Sequence, residues 1–404
     1  MSVPERAEPW MSAADAARLL RVTRTTLYAY VSRGYIRSQA TAGSSRERRY
    51  SRDDVERLRR RSEERRDPGK AAARALQWGV PVLESSITAI DGGRLYYRGH
   101  DAAALARTRS LAEIASLIWT GRFDSTCAEA KHLRMPQLRA PAVGLPFTAR
   151  AHTLLAAAAA TDPLAFDLRP QSVVSTGWRI LHLLAGAASG TASSGTSIDR
   201  QLGVAWDVAS RGIAVIREAL ILCADHELNV SSFTARCVAS AGSSPYAVVT
   251  AGLAALEGTR HGGTTARVEA MLATLRRARH VRVAIGDRLR RGERIDGFGH
   301  PLYADGDPRA TMLLDRLGEA YPRSAELAFV RAVAQDGGLA LRERPNLDFA
   351  LASVARVLRL PPDSGLALFA IGRAIGWIGH AIEQYATGQL IRPRAKYVGV
   401  PPQP

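Results

Sequence analysis

The sequence predicts a mainly α-helical protein in two unequal parts: a small helix-turn-helix module with a winged extension over residues 1–66, and a larger helical body from about residue 78. Three observations carry this reading. From Leu111 onward apolar residues recur almost without interruption at helical spacing, as in Ile114, Leu117 and Ile118. Near the N-terminus two short apolar segments, each preceded by a capping residue, Ser12 and Thr23, are separated only by Arg21 and Val22. The charge is also partitioned. Of the net +17, residues 1–70 hold 17 Lys and Arg against 10 Asp and Glu, and the remainder holds 38 against 28, so the N-terminal charge density is several-fold higher.

The 404 residues are 46% hydrophobic and 23% charged, the balance of a soluble globular protein with room for two or three domains. No membrane span is expected, because the apolar run Leu366–Gly379 contains Arg373 and the run near Leu154 stops at Asp162. Glu5, Glu8 and Asp15 precede any apolar stretch, so no secretory leader is expected. Cys127, Cys223 and Cys237 have no metal-ligand spacing and read as free thiols in a reducing cytoplasm. Nearly all the base is arginine, with Lys70, Lys131 and Lys396 as the lysines.

Ser12 caps a first predicted helix, Ala13–Leu20, and Thr23 a second, Arg24–Ser32, which stops at Gly34. Leu19, Leu20, Val22, Leu27 and Val31 form the expected shared core. Arg24, Thr25, Thr26 and Tyr28 are left to face outward, residue types suited to phosphates and base edges. Tyr35-Ile36 and Arg49-Tyr50 read as short β-prone ends around a polar loop, Gln39 to Arg48, which reads as a flexible wing. Ser51 then caps a basic amphipathic helix, Asp53–Arg66, with Val55 and Leu58 on its apolar side. This segment resembles the helix-turn-helix of MerR-type and excisionase-type regulators, which place the second helix in the DNA major groove. The resemblance implies double-stranded DNA as a partner of residues 10–66, with Arg48 and Arg49 of the wing on the backbone. A charged accessory bundle without a DNA role is the alternative.

Asp67-Pro68-Gly69 breaks the third helix and opens a linker, residues 67–77. Alternation and glycines between Val80 and Asp101 predict a β-hairpin. Helices are then expected at Leu111–Thr120, Arg150–Ala160, Gly177–Ala188, Val204–Asp225 and Arg267–Leu289, with more from Met312 to Leu358 and a last one, buried on most sides, over Leu366–Ala386. Phe123–Arg200 is Ala/Ser-rich and reads as shorter or rearranged helices, with a mobile loop at Thr191–Thr196.

The chemistry concentrates in Gly297-Phe-Gly-His300-Pro-Leu-Tyr-Ala-Asp-Gly-Asp307-Pro-Arg309-Ala310. A histidine between Gly299 and Pro301 sits on bent backbone, and an arginine fork follows, a pairing suited to an anion beside a titratable donor. Alone it also reads as a surface turn. Around it stand Asp225-His226-Glu227-Leu228-Asn229, His261-Gly262-Gly263, Pro345-Asn346-Leu347-Asp348-Phe349, Arg373 in an apolar run, and Arg392-Pro393-Arg394. In this order the motifs resemble the citrate synthase family, from about Val80 to Gly399; Glu84, Ser85, Ile87 and Arg98-Gly99-His100 fit the family's first strands, with His100 in place of its usual aromatic.

The resemblance implies a mainly α, two-domain body, with a large domain from residues 78–264 and 352–404 and a small domain from 265–351 that closes onto it. It implies condensation of acetyl-CoA or propionyl-CoA with oxaloacetate and water to citrate or 2-methylcitrate and free CoA. Such chemistry needs a base for a weakly acidic C–H, a donor on each reacting carbonyl and cations for the carboxylates. Asp348 is the expected base, His261 the donor to the thioester oxygen, and His300 the donor to the ketone. His226, Arg309, Arg373 and Arg392 are the expected oxaloacetate contacts, Arg392 coming from the partner subunit of a homodimer. Taken singly, His226 also reads as a core histidine in a helix and Arg373 as a snorkelling arginine. His132, His152, His182, His280 and His380 match no motif and read as structural. No metal or redox cofactor is implied, since the CoA thioester is a substrate.

Two departures stand out. The family often has His-Gly-Gly-Ala-Asn where this chain has His261-Gly262-Gly263-Thr264-Thr265. It also carries a basic residue for the CoA phosphates where this chain has Ala304, so Arg290, Arg291 and Arg294 are the expected replacements. The basic N-terminal module and this altered motif support a second reading, a DNA-binding regulator that senses a keto acid or acyl-CoA through the body without turnover.

Overall fold

Ser12 and Thr23 cap the first two helices, α1 (Ala13–Leu20) and α2 (Arg24–Ser32), each side-chain oxygen accepting from the backbone N–H three residues on. Arg21 turns the chain between them in the left-handed region at φ 55°. These are features of a computed structural model, which describes residues 10–41, 44–66, 83–124, 144–191, 195–395 and 397–401. The expected linker at 67–77, Cys127, His132 and part of the loop at Thr191–Thr196 lie outside the described residues. The chain divides into two units, residues 1–84 and 85–404.

In the first unit β1 (Trp10–Met11), β2 (Ser38–Thr41) and β3 (Ser44–Ser51) form an antiparallel sheet in the order β1-β3-β2. Over the described residues the wing expected as a flexible loop is a paired hairpin, with Gln39 opposite Arg49 and Ala40 opposite Arg48, while residues 42–43 lie outside the described residues. Tyr35 and Ile36 are not strand; Ile36 is buried in the bend before β2. Helix α3 (Arg52–Arg66) closes the unit over a core of Met11, Ala16, Ala17, Leu20, Leu27, Ile36, Tyr50 and Val55. Leu19, Val22, Val31 and Leu58 pack at its margin. Asp54 is buried and receives the Arg37 backbone N–H (2.9 Å), the Arg37 Nε (2.8 Å) and the Arg57 guanidinium, which ties α3 to the start of β2.

The second unit begins with the predicted hairpin, β4 (Thr88–Asp91) and β5 (Arg94–Tyr97), to which β6 (His100–Asp101) adds. Helices follow as α4 (Ala102–Thr108), α5 (Leu111–Thr120), α6 (Phe147–Thr161), α7 (Pro170–Ser189), α8 (Ile198–Ala205), α9 (Ser210–Leu222), α10 (Val230–Ser240) and α11 (Pro245–Leu256). The rest are α12 (Gly263–Leu275), α13 (Val281–Arg290), α14 (Pro308–Ala320), α15 (Ala325–Leu341), α16 (Leu347–Val357) and α17 (Ser364–Thr387).

Several boundaries correct the sequence reading. The helix expected over Val204–Asp225 is two, because the chain turns between α8 and α9 with Asp207 at φ 54° and Val204 exposed. The one expected over Arg267–Leu289 is also two, separated at residues 276–280. The described part of Phe123–Arg200 holds α6 and α7, of 15 and 20 residues, which are not short. In each case alanine-rich or arginine-rich composition hid the break or the continuity.

Helix α17 is the axis of this unit, packed against α10, α7, α11, α9, α16 and α5. By length and apolarity it could cross a membrane, yet it is buried within the protein. Gly376 explains one close approach: a Cβ there would lie 2.4 Å from the Ala224 carbonyl oxygen, to which the Gly376 N–H donates at 2.9 Å. That approach brings the end of α9 against the face of α17 that carries Arg373 and His380.

Candidate active site

His226 lies in a turn between α9 and α10, not in a helix, and three anchors hold that turn. The Tyr97 hydroxyl donates to the Ile221 carbonyl (3.0 Å), and Thr88 Oγ1 donates to Asp225 Oδ2 (2.6 Å). Asn229 caps α10 by accepting from the N–H groups of Ser231 and Ser232, both at 3.1 Å. Glu227, at φ 51°, turns the chain sharply beside His226. Behind it, buried Asp225 Oδ1 stands 3.2 Å from Nε2 of His380 on α17, a histidine that matches no motif in the sequence. Burial would raise the Asp225 pKa, but His380, Arg373 and Thr88 outweigh it and hold the carboxyl below its ordinary value.

Around His226 the predicted residues converge. Its Nε2 is 2.9 Å from the Tyr303 hydroxyl, and its ring meets that of His300 edge to face at 5.1 Å. Arg309, at the first turn of α14, is buried under the Tyr303 ring (5.6 Å). Asp307 grips it through Nε (2.9 Å) and Nη2 (2.8 Å) while also accepting from the Leu347 N–H (3.1 Å). A guanidinium has five N–H donors, so this clamp orients Arg309 and still leaves donors for a carboxylate. Arg373, buried on α17, donates from Nε to the Cys223 carbonyl (2.8 Å) and lies over the Phe369 ring at 4.9 Å. His261 packs edge-on against the same ring at 5.8 Å.

Hydrogen bonds constrain both donor histidines. The Leu302 N–H donates to Nδ1 of His300 (3.2 Å), so the neutral ring carries its proton on Nε2. His261 Nε2 lies 2.8 Å from Ser231 Oγ, which in turn lies 2.8 Å from Asn229 Oδ1. Burial lowers the pKa of each to about 4, reinforced by Arg309 at His300 and by Arg373 at His261. His226 is pushed well below its ordinary value by burial, then by Arg309 and Arg373. All three imidazoles are neutral at pH 7. Asp348 moves the other way. Desolvation lifts its carboxyl to about 6, with the Thr265 hydroxyl (2.6 Å to Oδ1) and Arg309 opposing.

The site thus combines a carboxylate of raised basicity, two neutral imidazole donors and two buried guanidiniums. That set suits removal of a weakly acidic proton and stabilisation of the oxyanions that follow. Arg392 does not join it in one chain. It is exposed on the segment after α17, which is pinned where the Ile391 N–H donates to Ser240 Oγ (3.1 Å). Arg290, Arg291 and Arg294 are paired with Asp287, Glu293 and Asp296 of the same surface segment. Ser231, Thr265, Tyr303, Asp307, Asn346 and the Asp225–His380 pair had no assigned role in the sequence reading. Their only signal was position inside or beside the named motifs, since a pairing across the fold leaves no trace in spacing.

Known proteins resemble both units of this chain. The family model for the citrate synthase C-terminal domain matches residues 75–140 and 129–394, and a helix-turn-helix domain model matches residues 10–62. A citrate synthase of Haloferax volcanii is 34% identical over 370 residues, covering 80% of this chain and 94% of that one. A 2-methylcitrate synthase of Shewanella oneidensis is 28% identical, covering 79% and 92%. The Thermoplasma acidophilum citrate synthase, solved as a ternary complex with carboxymethyl coenzyme A and oxaloacetate, superposes with TM-score 0.69 at 26% identity over 80% of this chain and 96% of that one. With a family model spanning most of the body behind a helix-turn-helix unit, this chain belongs to the citrate synthase family, as a citrate synthase-like transferase.

Proposed function

We propose that the protein condenses acetyl-CoA or propionyl-CoA with oxaloacetate and water, giving citrate or 2-methylcitrate and free CoA. The observation that carries this reading is the opposite displacement of the acid–base groups: Asp348 is raised to about 6, while His261 and His300 are both lowered to about 4. Near pH 7 Asp348 is largely ionised and takes a proton from the carbon next to the thioester. His261 donates to the thioester oxygen as charge develops there. The new enol carbon attacks the ketone of oxaloacetate, and His300 gives a proton to the resulting alkoxide. Water then cleaves the thioester and releases CoA. His226, Arg309 and Arg373 hold the keto acid, and Arg392 reaches it from the partner subunit of a homodimer.

Release of free CoA thiol, followed with acetyl-CoA and with propionyl-CoA in the presence and absence of oxaloacetate, tests the reading and reports the acyl preference. Thiol release that depends on oxaloacetate is expected. Its absence with both thioesters, in protein that binds oxaloacetate, overturns it. One observation favours a second role: the helix-turn-helix unit leaves Arg24, Thr25 and Tyr28 exposed on α2. On that reading the unit binds duplex DNA, and the body acts as the sensor of keto acid or acyl-CoA.

A further inference from the structure

Thr265 is fully buried in the first turns of α12, and its Oγ1 donates to Asp348 Oδ1 at 2.6 Å. Asp348 sits at the start of α16, so the bond joins the helix that follows His261 to the helix that bears the base. Among the described residues no other side chain hydrogen-bonds this carboxylate, which leaves Oδ2 to receive a proton. The charged groups facing it are Arg309 and Asp307 at the entrance to α14 and Arg267 on α12. Cys223, at the end of α9, responds to the Asp348 charge, and Arg373 of α17 faces the imidazoles instead. On α15, Glu326 pairs with Arg356 at the far end of α16.

Resting on the reading of Asp348 as the base, we propose that Thr265 is a positioning residue for it: its hydroxyl stabilises the carboxylate, presents Oδ2 to the substrate carbon, and sets the lowest pH at which the base is available. The physical logic is direct. A hydroxyl that donates to a carboxylate favours the charged form, while loss of water around it favours the neutral form. Burial here drives the carboxyl upward, and Thr265 is the nearest group that limits the rise. Threonine's β-branched side chain has few χ1 choices within a helix, and the one adopted here aims Oγ1 at Asp348. This is also the position at which the chain departs from the family's common asparagine.

The test is the pH profile of kcat/KM for acyl-CoA at saturating oxaloacetate, measured on the full-length protein. In Thr265→Val, which keeps the shape and removes the donor, the acidic limb should move up by about one pH unit, with activity at high pH within a few-fold of the parent. Thr265→Ser should restore the parent position, and Thr265→Ala provides a second donor-free variant should valine fail to fold. A limb that stays in place while activity drops equally at every pH overturns the proposal and makes Thr265 a packing residue. If the parent shows no acidic limb, or Asp348→Asn turns over normally, the assignment of the base itself falls, and the role of Thr265 with it.

Discussion

Phe298 and Pro345 form an isolated antiparallel bridge, flanked by Gly299 N–H donating to the Arg344 carbonyl (2.9 Å) and Asn346 N–H donating to that of Gly297 (2.9 Å). The loop that presents His300 and the turn that precedes Asp348, distant in sequence, are therefore one mechanical piece.

Asn346 is its joint. Nδ2 donates to the Gly299 carbonyl (3.1 Å), while Oδ1 caps α16 by accepting from the N–H groups of Asp348 (3.1 Å) and Phe349 (3.4 Å). Asn346→Ala should lose about 1–2 kcal/mol of stability with the cap and lower kcat by more than tenfold as the two catalytic segments loosen. Asn346→Asp keeps the cap and loses the donor to Gly299, so it should recover the melting temperature and not the rate. Parent-like kcat in both variants would mean that the bridge alone holds the segments.

Asp348→Asn separates function from stability. Condensation should fall by about 10²–10⁴-fold, the usual loss for a general base, with oxaloacetate binding little changed. The stability effect has the opposite sign. A carboxyl whose folded-state pKa is raised from 3.8 to about 6 costs stability above pH 6, where it must ionise while buried, and costs nothing below about pH 4. The asparagine variant should therefore be more stable at pH 8, by about 1–3 kcal/mol, with the difference vanishing toward pH 4. Melts at the two pH values check this; equal stability at both would mean that the carboxyl is well solvated.

Ser231 holds His261 by Nε2 and has a second acceptor in Asn229, so its hydroxyl proton can point either way. For His261 to donate from Nδ1 to the thioester oxygen, Ser231 must donate to Nε2. Ser231→Ala should lower kcat about ten- to a hundredfold and leave the KM for oxaloacetate nearly unchanged, because the keto acid is held elsewhere. A change confined to the oxaloacetate KM would place Ser231 in binding instead.

Sequence patterning read the helical content, the three caps of the N-terminal unit, Ser12, Thr23 and Ser51, and the burial of α17 correctly, because each has a local cause: a capping oxygen, a period of 3.6 or an unbroken apolar run. It misread places where the cause is tertiary. His226 looks helical from its neighbours, yet the chain turns because Tyr97, Thr88 and Gly376 pin the turn from elsewhere in the fold. Val204 to Asp225 is apolar enough for one helix, but Asp207 reverses the chain. In the site, the order of motifs picked out side chains that the fold brings together around His226. Their supports, Ser231, Thr265 and Asp307, are ordinary polar residues until the fold places them.

Arg392 is exposed in one chain, and on the proposed reading a second copy brings it to the site. Arg392→Ala and His300→Ala should each be inactive alone and should recover part of the activity when mixed, since a heterodimer then carries one site with neither lesion. Exchange must be verified with differently tagged chains. Verified heterodimers without activity would show that each site is built within a single chain.

The N-terminal unit decides between an enzyme with an accessory module and an enzyme that also reads DNA. On α2, Arg24, Thr25 and Tyr28 are exposed, whereas Thr26 is half-buried with its hydroxyl 2.9 Å from that of Thr23. Readout should therefore fall on the first three, and Thr26→Ala should act mainly by disturbing the helix start. Arg48 and Arg49 belong to β3 of the wing, where phosphates are the natural partners. In a binding assay with duplex DNA, Thr25→Ala or Tyr28→Ala should weaken one preferred sequence. Arg48→Ala should weaken all sequences alike and flatten the salt dependence by about 0.9 in logarithmic slope for each phosphate no longer neutralised. Condensation by these variants should be unchanged. A protein that binds no duplex at low salt, yet releases CoA normally, would leave the N-terminal unit without a DNA role and remove the sensor reading.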